Sequence, residues 1–164
     1  MQGRLILPPD YLEITGLVVF LAGPIQGTNW QPKAIEYLQK NSPELNIACP
    51  RRDYLANEFV YEKQVDWETY YLRKAAHTGV IMFWLAKELF HICDRAYAQT
   101  TRFELGEWKV RYERDNIKLV LGIEEGFSNS RYIRRRFAQD CPNINICNTL
   151  EETCQQVIKQ IFIK

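Results

Sequence analysis

Val80-Ile81-Met82-Phe83-Trp84-Leu85 is an unbroken apolar run, rich in β-branched and aromatic residues and preceded by Gly79. A strand with one wet face alternates apolar and polar residues. A continuous run instead implies a strand covered on both sides, as in a parallel sheet held between helices. Residues 17–22 (L-V-V-F-L-A) read the same way and stop at Gly23-Pro24. Shorter apolar runs at 46–49, 117–123 and, more weakly, 144–147 bring the strand candidates to five.

Helical spacing fills the intervals. Residues 30–40 place Ala34, Ile35 and Leu38 on one side, and Asn41-Ser42-Pro43 closes them. Residues 59–76 bring Val65, Leu72 and Ala76 onto a common face. Residues 101–113, a short basic stretch at 131–138 and residues 150–162 are also helical, whereas 86–99 lack a clean period. Strands alternating with helices predict one α/β domain over 1–164, a flavodoxin-like three-layer sandwich around a five-stranded parallel sheet of order 2-1-3-4-5. Ligands of such a sheet sit beyond the carboxyl ends of its first and third strands, here the loops at 23–30 and 86–99. The second is longer than most strand-to-helix connections, itself a pointer to function.

Composition narrows the function. Hydrophobic residues at 46% and charged residues at 25% suit a globular domain with a sizeable core. A net charge of +1 supplies no field for a nucleic acid polymer, so a small ligand is expected. The five cysteines are odd in number and contain no C-x-x-C pair, which argues for reduced thiols in a cytoplasmic setting. His77 and His91 lack metal-like spacing, and no metal is expected. In the run His91-Ile92-Cys93-Asp94 the side chains are too close along the chain for a Cys-His nucleophile pair. No apolar run is long enough to span a bilayer.

The chemistry-bearing stretch is Thr100-Thr101-Arg102-Phe103-Glu104-Leu105-Gly106-Glu107-Trp108. Its local reading is structural: Thr101 and Glu104 form the T-x-x-E of a capping box. Its position at the crevice suggests a second role. A carboxylate near the positive end of a helix stays ionised, and a fixed, ionised carboxylate can attack C1′ of a sugar as oxocarbenium-like charge develops. After the first long strand, Gly23-Pro24-Ile25-Gln26-Gly27-Thr28 allows close backbone approach at Gly23. It is not a G-x-G-x-x-G fingerprint, so no dinucleotide cofactor is expected. Trp30, Phe83 and Trp84 are candidate walls for a nucleobase, with core packing expected of at least one of the last two. Arg51-Arg52 could meet an anionic group or be merely solvated. Arg131, Arg134, Arg135 and Arg136 read as surface or oligomer contact.

Four segments in order resemble the nucleoside 2-deoxyribosyltransferase-like family: Val19 to Ile25 with Trp30, Gln64-Val65-Asp66-Trp67-Glu68, Ile81 to Leu85, and Thr100 to Trp108. The resemblance spans about two-thirds of the chain. It implies a flavodoxin-like fold, Glu104 as a glutamate nucleophile, no cofactor, and active sites completed across a homo-oligomer. On that basis catalysis becomes the preferred role of Glu104, and Gly23, Pro24, Ile25, Trp30, Trp84 and Thr101 become substrate contacts. Relatives place an Asp just before the third strand, where this chain has His77-Thr78-Gly79. Some carry an acid shortly before the nucleophile, for which Asp94 is a distant equivalent.

A second carboxylate would orient the sugar and handle the proton of the departing base. Asp66 and Glu68 lie about 200° apart on a helix. Glu68, spaced from Val65 and Leu72 like a neighbour of the buried face, is the expected partner. The function expected is cleavage or transfer of the N-glycosidic bond of a nucleoside. The alternatives are a nucleoside 5′-monophosphate N-glycosidase and a non-catalytic nucleotide-binding domain.

Overall fold

The computed structural model describes residues 2–162 except 56, 93 and 95. Its elements are β1 (Leu5–Ile6), β2 (Val18–Ala22), α1 (Gln31–Asn41), β3 (Asn46–Ala48), α2 (Tyr61–Thr78), β4 (Val80–Leu85), α3 (Gln99–Asp115), β5 (Leu119–Ile123), α4 (Ser130–Asp140) and α5 (Leu150–Phe162). All paired strands run parallel, in the order β1-β3-β2-β4-β5. The α/β class, the parallel sheet and the flanking helices are as expected, and every residue of β4 is buried.

The sheet edges depart from the expected order. Residues 144–147 make only a single parallel bridge, Gly122 to Cys147, in place of a fifth strand. Asn143, Asn145 and Asn148 interrupt the apolar pattern there, and asparagine favours turns over strands. The other edge is taken by β1, whose Leu5 and Ile6 pair with Ile47 and Ala48. The strands β3, β2, β4 and β5 keep the expected relative order.

Alternation along each strand sorts the core into two layers. Phe20, Ala22, Ile81, Phe83 and Leu85 face α2, α3 and α4. Val19, Leu21, Val80, Met82 and Trp84 face α1 and α5. The two helices on that second face pack on each other as well as on the sheet, whereas α2 and α3 meet only weakly. The α2/α3 side therefore opens at the carboxyl ends of β2 and β3.

Helix α2 is rotated from its expected setting. Its buried residues are Trp67, Tyr71, Leu72 and Ala75, while Val65 is 39% exposed. Trp67 and Tyr71 are larger than the aliphatic residues, and the N-terminal segment satisfies their polar atoms. The Trp67 indole donates to the Asp10 carbonyl at 2.8 Å, and the Leu12 amide donates to the Tyr71 hydroxyl at 2.9 Å. The stripe Tyr61, Gln64, Val65 and Glu68 is thereby turned toward the opening.

Candidate active site

A cleft of about 430 Å3 lies at this opening, within the range of small-molecule sites. Phe20 and Ala22 form its floor, and the loop from Gly23 to Gln26 forms one rim. Pro50, Arg51, Arg52 and Tyr54 approach from the loop after β3, with Phe59 before α2. The α2 stripe forms one wall, and Ala98, Thr101 and Glu104 at the start of α3 form the facing wall. Of the expected site residues, Glu104, Glu68, Gly23, Pro24, Ile25 and Thr101 thus meet in one place, at the edge of the sheet where the strand order reverses. Asp66 and Asp94 are exposed and outside the cleft.

Trp30 and Trp84 do not line the cleft. Trp30 is 2% exposed beneath the first loop, where its indole donates to the Pro24 carbonyl at 3.1 Å. Trp84 projects to the α1/α5 face, the side opposite Phe83 and the cleft floor. A Cβ on Gly122 would strike the Trp84 ring, so the glycine in β5 makes room for the indole in the core. Gly23 has a similar packing reason. A Cβ there would collide with the Trp84 carbonyl and the Trp30 ring, so its smallness serves the fold beneath the loop. The flat surfaces of the cleft are instead Phe20 on the floor and Tyr54, Phe59 and Tyr61 on the walls. Tyr54 and Phe59 meet edge to face with ring centroids 5.3 Å apart.

The start of α3 departs from a capping box. The helix begins at Gln99 after Ala98, whose φ of 56° is left-handed, and no side chain caps it. Packing sets this entry. The Tyr97 hydroxyl donates to the Ala86 carbonyl at 2.8 Å. Arg102 donates to the Tyr97 carbonyl and to Ser128, and lies 4.5 Å over the Phe127 ring. Thr101 is already inside the helix and buried, so its hydroxyl is past the capping position. A left-handed non-glycine residue costs about 1–3 kcal/mol and here adjoins the cleft.

The Glu104 carboxyl makes no hydrogen bond or ion pair among the described residues. Burial, then the nearby Glu68, then Glu107 push its carboxyl up to about 8. This reverses the expectation that the helix dipole keeps it ionised. Glu104 lies in the second turn, beyond the reach of the terminal partial charges, and desolvation dominates. Burial also raises Glu68, opposed by a hydrogen bond from Gln64. Of the two acids, Glu104 is the one that keeps its proton near neutral pH.

Arg51 and Arg52 line the cleft with no carboxylate in ion-pair range among the described residues. Arg51 donates to the Gln31 side chain at 3.2 Å and Arg52 to the Pro8 carbonyl at 2.9 Å. The basic helix α4 is outside the cleft: Arg134 bonds Asn148, and Arg136 pairs with Asp140 at 3.2 Å. Cys49, Cys141, Cys147 and Cys154 are buried free thiols; Cys93 lies outside the described residues. No described helix is long and apolar enough to cross a membrane.

Sequence patterning does not mark the aromatic walls or Gln64 as site residues. Taking Trp67 and Tyr71 as the buried face of α2 would have located Tyr61, Gln64 and Val65 beside Glu68. Tyr54 and Phe59 carry no periodic signal. No family model matches the chain, and no curated protein matches it. The likeness to nucleoside 2-deoxyribosyltransferases accordingly rests on the four segments quoted above.

Proposed function

We propose that this protein cleaves or transfers the N-glycosidic bond of a nucleoside or nucleotide, with Glu104 as nucleophile and Glu68 as the second carboxylate. The observation that carries the reading is their convergence, partly buried, in one aromatic-walled cleft at the carboxyl edge of the sheet. The Glu104 carboxylate forms a bond to C1′ as the C1′–N bond breaks, and the base leaves with the electron pair. The proton that Glu104 sheds passes by way of Glu68 to the departing base nitrogen. A second base or water then attacks C1′, gives its proton to Glu68, and the C1′–O bond breaks to release the Glu104 carboxylate. A poorly solvated carboxylate gains most when positive charge appears on the sugar, so its attraction is greater in the transition state than before it.

A second reading, a hydrolase for nucleoside 5′-monophosphates, is favoured by Arg51 and Arg52. Both line the cleft and neither is neutralised by a described carboxylate. The homo-oligomer is part of the proposal, with the exposed Ile25, Phe59 and Phe103 as apolar surface for a second copy.

The deciding experiment incubates the protein with deoxynucleosides, ribonucleosides and their 5′-monophosphates, with and without an acceptor base, and follows bases by chromatography. Exchange with the acceptor supports a transferase. Release only from monophosphates supports the hydrolase. Ligand binding by calorimetry with no base released over long incubation would leave a binding domain and refute catalysis.

A further inference from the structure

The polar atoms of Gln64 are all engaged. Its Nε2 donates to the Pro50 carbonyl at 2.9 Å and to Glu68 Oε1 at 2.7 Å, and its Oε1 accepts from the Tyr54 hydroxyl. The Pro50 carbonyl can only accept, which fixes the amide orientation. Both amide hydrogens are therefore spent, so Gln64 has no donor left to read a ligand. The Trp67 indole, pinned to Asp10 in the core, sets the rotation of α2, and the four-residue spacing keeps Gln64 and Glu68 on its cleft face.

We propose that Gln64 is a positioning residue whose carboxamide, braced by Pro50 and Tyr54, holds one oxygen of Glu68 so that the other faces the ligand as a hydrogen-bond acceptor. The proposal rests on Glu68 being the second carboxylate of the reaction. Glu68 Oε2 makes no hydrogen bond among the described residues and is free for a sugar hydroxyl. The titratable and charged groups around Glu68 are Glu104 on α3, Tyr61 on α2, and Tyr54, Arg51 and Arg52 on the loop after β3. Arg52 stacks 5.6 Å over the Tyr54 ring, which ties that cation to the brace, and neither arginine pairs with Glu68. The brace is thus a neutral donor. It fixes the carboxylate without cancelling the charge that the ligand must meet.

The test is a carboxyl NMR titration of the full chain labelled with 13C at glutamate carboxyls, using Glu68→Gln to assign the resonance. Losing the donor withdraws support from the ionised form, so the Glu68 midpoint should rise by about one pH unit in Gln64→Leu. Tyr54→Phe, which loosens the amide but keeps it, should give a smaller rise. An unchanged midpoint in folded Gln64→Leu overturns the proposal; if that variant does not fold, an unchanged midpoint in Tyr54→Phe does so. Base release should fall by up to about 100-fold, mainly in kcat, with its acid limb moved to higher pH. If the native protein releases no base from any nucleoside, the catalytic reading fails, and the titration still decides the role of Gln64.

Discussion

The pattern Thr-x-x-Glu occurs at 101–104 and again at 149–152, and the two copies behave oppositely. At 149–152 it is a reciprocal cap on α5. The Glu152 amide donates to Thr149 Oγ1 at 3.2 Å, while Glu152 Oε2 accepts from the Thr149 and Asn148 amides at 3.3 and 3.1 Å. Both side chains are exposed. At 101–104 the helix has already begun two residues earlier, under the hold of Tyr97 and Arg102. The threonine is buried in the first turn, and the glutamate carboxyl, on the cleft wall, has no partner among the described residues. The motif caps a helix only where the chain enters the helix at its threonine. Where packing moves that entry, the same glutamate becomes available for chemistry.

The sharpest way to break this contrast is to neutralise each glutamate. Glu104→Gln should lower the rate of base release by about 1000-fold or more with the fold intact, whereas Glu152→Gln should leave it unchanged. Steady-state kinetics on the best nucleoside substrate measures both. Retention of near-native turnover in Glu104→Gln would remove the nucleophile assignment.

Stability should then separate the two glutamates by sign. The folded state holds the Glu104 carboxyl at about 8 against an ordinary 4.5, so folding favours its proton. Stability is lost as pH rises from about 4.5 through 8, because the folded protein must bury the charge. Glu104→Gln removes that loss. Its melting temperature should exceed the native value by a few degrees at pH 8, with little difference at pH 5. Glu152→Gln should instead lose up to about 1 kcal/mol at neutral pH, since it weakens a charged cap. Thermal melts at the two pH values provide the comparison.

The smallest contrast lies in the threonines. Thr149→Ala should cost about 1 kcal/mol through loss of the cap. Thr101→Val, which keeps the buried shape and removes only the hydroxyl, should stay within about 0.5 kcal/mol, because that hydroxyl caps nothing. Urea unfolding resolves the two, and equal losses would restore a capping role at 101.

The core strands were legible because their apolar runs lack polar interruptions: 80–85 agrees with β4 throughout, and 17–22 differs from β2 by one residue. The weak run at 144–147, interrupted by asparagine, is where the expected topology differs. The placement of Glu104 and the first loop at the crevice was legible from position relative to those strands, whereas the nucleophile role of Glu104 rests on the resemblance as well. Glu68 was preferred over Asp66 on an α2 face built from Val65, although Trp67 and Tyr71 actually set the helix rotation. Trp30 and Trp84 misled because aromatic rings suit a base and a core equally well.

Apolar continuity and helical spacing alone determined an α/β chain with a parallel sheet, since those patterns follow from local geometry and from burial on one or two faces. Only the tertiary structure decided which face closed and which stayed open. Pairing of α1 with α5 buries Trp30 and Trp84, whereas separation of α2 from α3 leaves Glu68 and Glu104 sharing a cleft. It also decided the charge balance at Glu104, because desolvation depends on neighbours distant along the chain, and no four-residue motif encodes them.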